Sequence, residues 1–201
     1  AEAFCATYPR LDILVNNAGI YPEARHVTAE GLELTWATNA MGYFWLTNAL
    51  TDRLVASAPA RIVDVASELA GGLDLDDLQF ERRRFGGVRA YKQSKQANRM
   101  LVYVRSERLA GTGVTVNVVH PGGVNTGIAR HQKGMKGFFL RLLFKTQRGV
   151  AAGADTATWL AASSEVEGVT GKFWAKRKER PRPFRDMDAC EALWAQCEAL
   201  S

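Results

Sequence analysis

Short, nearly unbroken apolar runs alternating with longer segments of helical period constrain this chain more than any other feature of its sequence. The runs at 11–15 (LDILV), 61–67 (RIVDVAS), 114–119 (VTVNVV) and, more briefly, 172–174 (KFW) read as strands. Between them, residues 28–56, 88–110 and 148–162 read as helices, residues 1–8 as the last turns of a helix stopped by Pro9, and 188–200 as a closing helix. Thr28 is the predicted N-cap of the first long helix. Strands this apolar, each followed by a helical crossover, predict an α/β fold with a parallel sheet covered by helices on both faces. At 201 residues and 47% hydrophobic content, residues 1–201 suffice for one well-buried domain and are short for two.

In such a sheet, ligands bind just beyond the carboxyl ends of the strands. Asn16-Asn17-Ala18-Gly19, Ser67 and Pro121-Gly122-Gly123 each follow a strand directly, so all three lie on one edge. The helices that follow begin at that edge, which brings the first turns of the 88–110 helix beside them. Those turns carry Tyr91-Lys92-Gln93-Ser94-Lys95.

Tyr91 and Lys95 are one helical turn apart on one face. A phenol titrates near about 10, and an ammonium within a few Å favours its ionised form, so the pair is a candidate general acid/base for the proton of an alcohol. Asn39 lies on the apolar stripe of the preceding helix with Leu32, Trp36, Tyr43 and Phe44, where an amide is costly unless it is hydrogen-bonded.

Other chemistries find little support. Cys5, Cys190 and Cys197 form no CxxC pair and have no metal-ligand spacing with His26, His120 or His131, so neither a zinc site nor a disulfide framework is expected and a reducing compartment is favoured. The net charge of +5 is spread along the chain, and the basic runs at 82–84 and 176–180 lack the interleaved aromatics of a nucleic-acid surface, so they read as solvated faces. Neither a membrane-spanning run nor a signal peptide is recognisable, and a cytoplasmic setting is expected.

Taken together, NNAG at 16–19, Asn39 within TNAMGYF, Ser67 at the end of RIVDVAS, YKQSK at 91–95 and HPGGVNT at 120–126 resemble the short-chain dehydrogenase/reductase family. The segment DLDDLQFERRRF at 74–85 resembles its retinol-dehydrogenase-like branch. The resemblance implies a Rossmann-type doubly wound parallel sheet and an NAD(P)-dependent oxidoreductase interconverting an alcohol and a carbonyl on an apolar small molecule. It implies Tyr91 as acid/base, Lys95 lowering its pKa and holding the nicotinamide ribose, Ser67 bonding the substrate oxygen, and Asn39 orienting a water that links Lys95 to solvent. Asn16, Ala18, Gly19, Tyr91, Lys95, Pro121, Gly122, Val124 and Thr126 would contact NAD(P)(H), with NADP(H) slightly favoured and no metal involved. His120 would be structural. The resemblance is also compatible with a homo-oligomer, since pairing is common in the family.

The sequence departs from the family in one respect. No strand followed by a TGxxxGxG turn, the element that would hold a pyrophosphate at a helix N-terminus, is present. Gly111-Thr112-Gly113 precedes a strand and Gly71-Gly72 lies in the polar insertion, so neither substitutes for it. The chain is therefore expected to be the carboxyl-terminal part of the fold, with about four strands remaining and the 11–15 strand left as an edge. From this follow expectations of self-association or low stability, weak cofactor binding, and an alternative reading as an inactive fragment or a non-catalytic binding protein. Residues 130–145 (RHQKGMKGFFLRLLFK) are read first as a lid over an apolar substrate, second as a basic apolar helix on a membrane surface, and third as ordinary core packing.

Overall fold

The computed structural model describes residues 1–122 and 150–201. In chain order these form α1 (Glu2–Thr7), β1 (Ile13–Asn16), α2 (Leu34–Trp36), a π-helical stretch (Ala37–Met41), α3 (Gly42–Ala56), β2 (Ala60–Val65) and α4 (Gly87–Arg108). There follow β3 (Val114–His120), α5 (Val150–Ala162), a 3-10 turn (Ser164–Val166), β4 (Phe173–Ala175), β5 (Lys178–Arg180) and α6 (Met187–Ala199). The sheet has the order β1-β2-β3-β4-β5, parallel from β1 to β4. This is the expected α/β, Rossmann-like arrangement.

The strand count is five among the described residues, one more than expected. β5 pairs antiparallel with β4 across Lys176 and Arg177, whose φ angles of 54° and 56° lie in the left-handed region used by tight hairpins. Its residues Lys178, Glu179 and Arg180 are all exposed, so it has no apolar face and reads in sequence as a solvated run. Arg177 is tied down by Asp155 and by its backbone N–H to Thr156 Oγ1 at 3.2 Å.

The first long helix also starts later than expected. Its N-cap is the buried Glu33, whose carboxylate accepts from the Thr35 and Trp36 N–H groups at 2.8 Å each. Thr28 instead closes a turn, its hydroxyl accepting from Leu32 N–H at 3.3 Å. An acidic side chain at this position satisfies two otherwise unpaired donors at the positive end of the helix dipole.

The alternation of strand side chains divides the core. Leu14, Ile62, Val116, Val118 and Phe173 face the layer of α3 and α4, where Leu50, Leu54 and Val102 meet them. Val63, Val65, Val119 and Trp174 face the opposite side and pack with Leu160 of α5. Helices thus cover both faces. α6 lies on α4, burying Cys190, Leu193 and Cys197 and setting the Trp194 ring edge-on to Phe44 at 4.8 Å. β1 pairs only with β2 among the described strands, and Ile13 and Val15 remain 42% and 44% exposed. No helix of the described residues is long and apolar enough to cross a membrane.

Candidate active site

Parallel register aligns the ends of three strands: Asn16 pairs with Asp64, and Val65 with Val119. Ser67 follows β2 and the Pro121-Gly122 turn follows β3 at the same edge. Gly122 has φ +84°, a conformation that favours glycine. α4 starts at this edge, bringing Tyr91, Ser94 and Lys95 over the end of β2. Asn39, Ser67, Tyr91 and Lys95 therefore converge, together with Gly19.

Asn39 sits in the π-helical stretch between α2 and α3, a distortion frequent at functional sites. Its Oδ1 accepts from Ile20 N–H at 2.8 Å, and its Nδ2 donates to the Ile20 carbonyl at 3.0 Å and to Ser94 Oγ at 3.1 Å. This resolves the awkward amide on an apolar stripe: it clamps the turn after β1 onto α4. A Cβ built on Gly19 would stand 3.6 Å from Asn39 Oδ1 and 3.8 Å from Lys95 Nζ, so this turn lies directly against both polar groups.

Lys95 is 4% exposed, and its ammonium donates to the Val65 carbonyl at 2.9 Å. It also lies 5.1 Å from the centre of the Tyr43 ring and 5.9 Å from that of Tyr91. Burial brings Lys95 down to about 8, opposed by the charge of Asp64. Tyr91 differs from the sequence-based expectation of a lowered phenol. Burial raises it above its ordinary value, and a side-chain hydrogen bond with Ser67 acts in the other direction. Desolvation outweighs the Ser67 bond, and the Lys95 ammonium, 5.9 Å from the centre of the Tyr91 ring, does not offset it. Ser67 Oγ also accepts from Leu69 N–H at 3.1 Å.

Beneath the site lies a buried polar network that the sequence reading did not identify. Asn16 Nδ2 donates to Asp64 Oδ1 at 2.7 Å and to Thr47 Oγ1 at 2.9 Å, linking β1, β2 and α3. Burial pushes Asp64 up to about 6, while the Asn16 hydrogen bond, Arg105 and Lys95 pull it down. A carboxylate in an otherwise apolar strand was its sequence signal. Tyr43, four residues beyond Asn39, was likewise legible only as core, yet its hydroxyl donates to the Val65 carbonyl at 3.3 Å. Tyr21 lies edge-on to Tyr91 with ring centres 5.7 Å apart, forming an aromatic wall over the phenol.

The other residues expected at a cofactor fall out unevenly. Asn16 turns its side chain into the core, Ala18 is exposed, and Pro121 and Gly122 are half-buried at the end of β3. Val124, Thr126 and the whole of 130–145 lie outside the described residues. An ammonium with one protein acceptor among the described residues, beside the Gly19 turn, fits the ribose hydroxyls of a nicotinamide nucleotide. Among the described residues no cluster of His, Cys, Asp and Glu could hold a metal ion.

Comparison with known proteins agrees with this architecture. The sequence model of the short chain dehydrogenase family matches residues 1–136. Retinol dehydrogenase 13 of Mus musculus is 37% identical over 203 residues, covering 95% of this chain and 60% of its own length. Retinol dehydrogenase 14 of Homo sapiens is 39% identical over 213 residues, covering 99% of this chain and 62% of its own. The chain thus spans about three fifths of the length of these relatives. Among solved structures, an uncharacterised protein from Mycobacterium Paratuberculosis superposes with TM-score 0.74 at 28% identity, over 98% of this chain and 69% of that one. A short chain dehydrogenase from Burkholderia cenocepacia in complex with NADP gives TM-score 0.61 at 25% identity, over 86% and 66%. A parallel sheet whose strand ends gather Asn39, Ser67, Tyr91 and Lys95, with a family match over 1–136, identifies the chain as a member of the short chain dehydrogenase family, similar to its retinol dehydrogenases.

Proposed function

We propose that the chain carries the catalytic side of an NAD(P)(H)-dependent oxidoreductase that interconverts an alcohol and a carbonyl on an apolar small molecule. The observation that carries this reading is the convergence of Tyr91, Ser67 and Lys95 behind the Gly19 turn. NADP(H) is favoured over NAD(H) by the NADP-bound relative. An apolar substrate is favoured by the Tyr21–Tyr91 wall and by the retinol dehydrogenase relatives.

When bound, the nicotinamide supplies the hydride. The protein residues supply the proton and its control. Because burial raises Tyr91, its phenol is protonated at neutral pH and suited to donate to a carbonyl oxygen. The Ser67 hydroxyl, joined to Tyr91 by a side-chain hydrogen bond, steadies the negative charge that develops on that oxygen. Lys95, anchored on Val65, would hold the ribose, and its charge favours the phenolate left after transfer. Asn39 keeps the Gly19-Ile20 turn against Lys95, so that the nucleotide and the ammonium meet in one geometry.

The test is oxidation of NADPH, and of NADH, with a panel of long-chain and conjugated aldehydes. Tyr91→Phe is expected to lower turnover by at least about 100-fold. Turnover unaffected by that substitution overturns the assignment.

A further inference from the structure

The peptide group joining Ser67 to Glu68 is held at both ends by ionisable side chains from two different elements. Its carbonyl accepts from the Arg99 guanidinium of α4, and its N–H donates to His120 Nδ1 of β3 at 3.2 Å. Arg99 is unusual for its position. It lies one turn beyond Lys95 on the catalytic helix, is 4% exposed, and stacks on Phe173 of β4 at 3.7 Å. The centre of the Phe184 ring lies 5.6 Å away. A guanidinium so enclosed has been taken out of water at a large desolvation cost, which a role in packing alone does not explain.

We propose that Arg99 and His120 are positioning residues that clamp the Ser67–Glu68 peptide and so aim the Ser67 hydroxyl at Tyr91. The proposal rests on the functional reading above and adds a pH-sensitive hold on one of its members. Fixing both ends of this peptide fixes the plane that follows Ser67 and so seats its Cα–Cβ bond, from which the Leu69 N–H bond to Oγ at 3.1 Å sets the direction of the hydroxyl. The two parts of the clamp are coupled. His120 accepts through Nδ1 only while that nitrogen is unprotonated, which places its own proton on Nε2, facing Glu68 Oε2 at 3.7 Å. Among the described residues, the charged groups around the imidazole are Glu68 from the loop after β2, Arg99 from α4, Arg180 from β5 and Lys176 from the hairpin turn. Burial and the three cations hold its pKa below the ordinary value, against Glu68. Arg99 thus grips the carbonyl and, through its charge, keeps the imidazole able to grip the N–H. As pH falls through the His120 pKa, Nδ1 gains a proton and the N–H end is released.

The test follows the Glu68 backbone amide and the His120 ring protons by NMR of the isotope-labelled chain between about pH 5.5 and 8, above the range of free carboxylates. In the unmodified protein the Glu68 amide is expected to shift upfield on acidification with the same midpoint as the His120 ring. His120→Asn is expected to remove that response. Arg99→Met is expected to raise the His120 midpoint, and Arg99→Lys, which keeps the charge, to restore it. An aldehyde-reduction assay should show kcat lowered about 10- to 100-fold by Arg99→Met, KM unchanged, and recovery in Arg99→Lys. A Glu68 amide indifferent to His120 in the unmodified chain, or a His120 midpoint unmoved by Arg99→Met, overturns the clamp. Absence of turnover in the unmodified chain counts against the functional reading alone, because the titration reads the clamp without cofactor or substrate.

Discussion

Gly87 and Pro22 are in such close apposition that a Cβ on Gly87 would overlap the Pro22 carbonyl oxygen and crowd Glu23 Cα at 3.4 Å. The first residue of α4 therefore seats the loop after β1 against the helix that carries Tyr91 and Lys95. That loop carries Tyr21, whose ring stands over Tyr91.

Gly87→Ala should push this loop outward. The obstruction is backbone, which cannot swing aside as a side chain would, so the expected loss is about 1–3 kcal/mol of stability. Tyr21 should move off Tyr91, raising KM for apolar aldehydes more than it lowers kcat. Thermal melting and steady-state kinetics of the variant check both. An unchanged melting temperature would show that the loop adapts freely.

Asp64 should destabilise the protein at neutral pH. Its folded pKa, raised to about 6, lies above the unfolded value of 3.8, so the folded state binds more protons between the two. Stability contributed by the protonated carboxyl is full below about 4 and is lost as pH rises through about 6. Asp64→Asn keeps an oxygen for Asn16 Nδ2 and removes the titration, so a gain of about 1–3 kcal/mol at pH 7 is expected. Denaturant melts at pH 4 and pH 7 should converge for the variant and diverge for the parent.

Asp77 organises the insertion ahead of α4. Its carboxylate accepts the backbone N–H groups of Glu81 at 2.7 Å and Arg83 at 2.8 Å, and pairs with the Arg83 guanidinium at 3.1 Å. These bonds hold it down to about 2. Asp77→Ala strands several donors, and about 1–3 kcal/mol of stability should be lost. Limited proteolysis of the variant should cut within 76–86 before it cuts elsewhere, and an unaltered cleavage pattern would refute this role.

The edge of β1 should drive self-association. Ile13 and Val15 are 42% and 44% exposed beside a strand with a single described neighbour. Replacing both by lysine is expected to move the chain toward monomer in size-exclusion chromatography. Elution of the double variant unchanged from the parent counts against β1 as the associating surface.

Much of the site was legible because its residues sit at strand ends and on one helical face. The NNAG turn, Ser67 and the Tyr91–Lys95 pair needed only periodicity and the parallel-sheet rule to be brought to one edge. Less legible were residues whose partners are remote in the chain. Arg99 reads as one more basic residue on a helix until β3 and β4 fold beside it. β5 carries no apolar pattern at all, and its pairing depends on a two-residue turn with unusual backbone angles. Thr28 satisfied a local capping pattern, but burial of Glu33 against α2 prevailed.

Sequence alone determined the order of elements, the edge at which the candidate site lies and the residues available there, since apolar period and turn composition are local properties. Tertiary structure decided how those residues behave. Burial raises Tyr91 and Asp64 and lowers Lys95, and pairing commits Asn39 to Ile20, the Ser67 carbonyl to Arg99 and the Glu68 N–H to His120. The physical reason is that desolvation and hydrogen bonding depend on what packs around a group from distant parts of the chain, which no local pattern encodes.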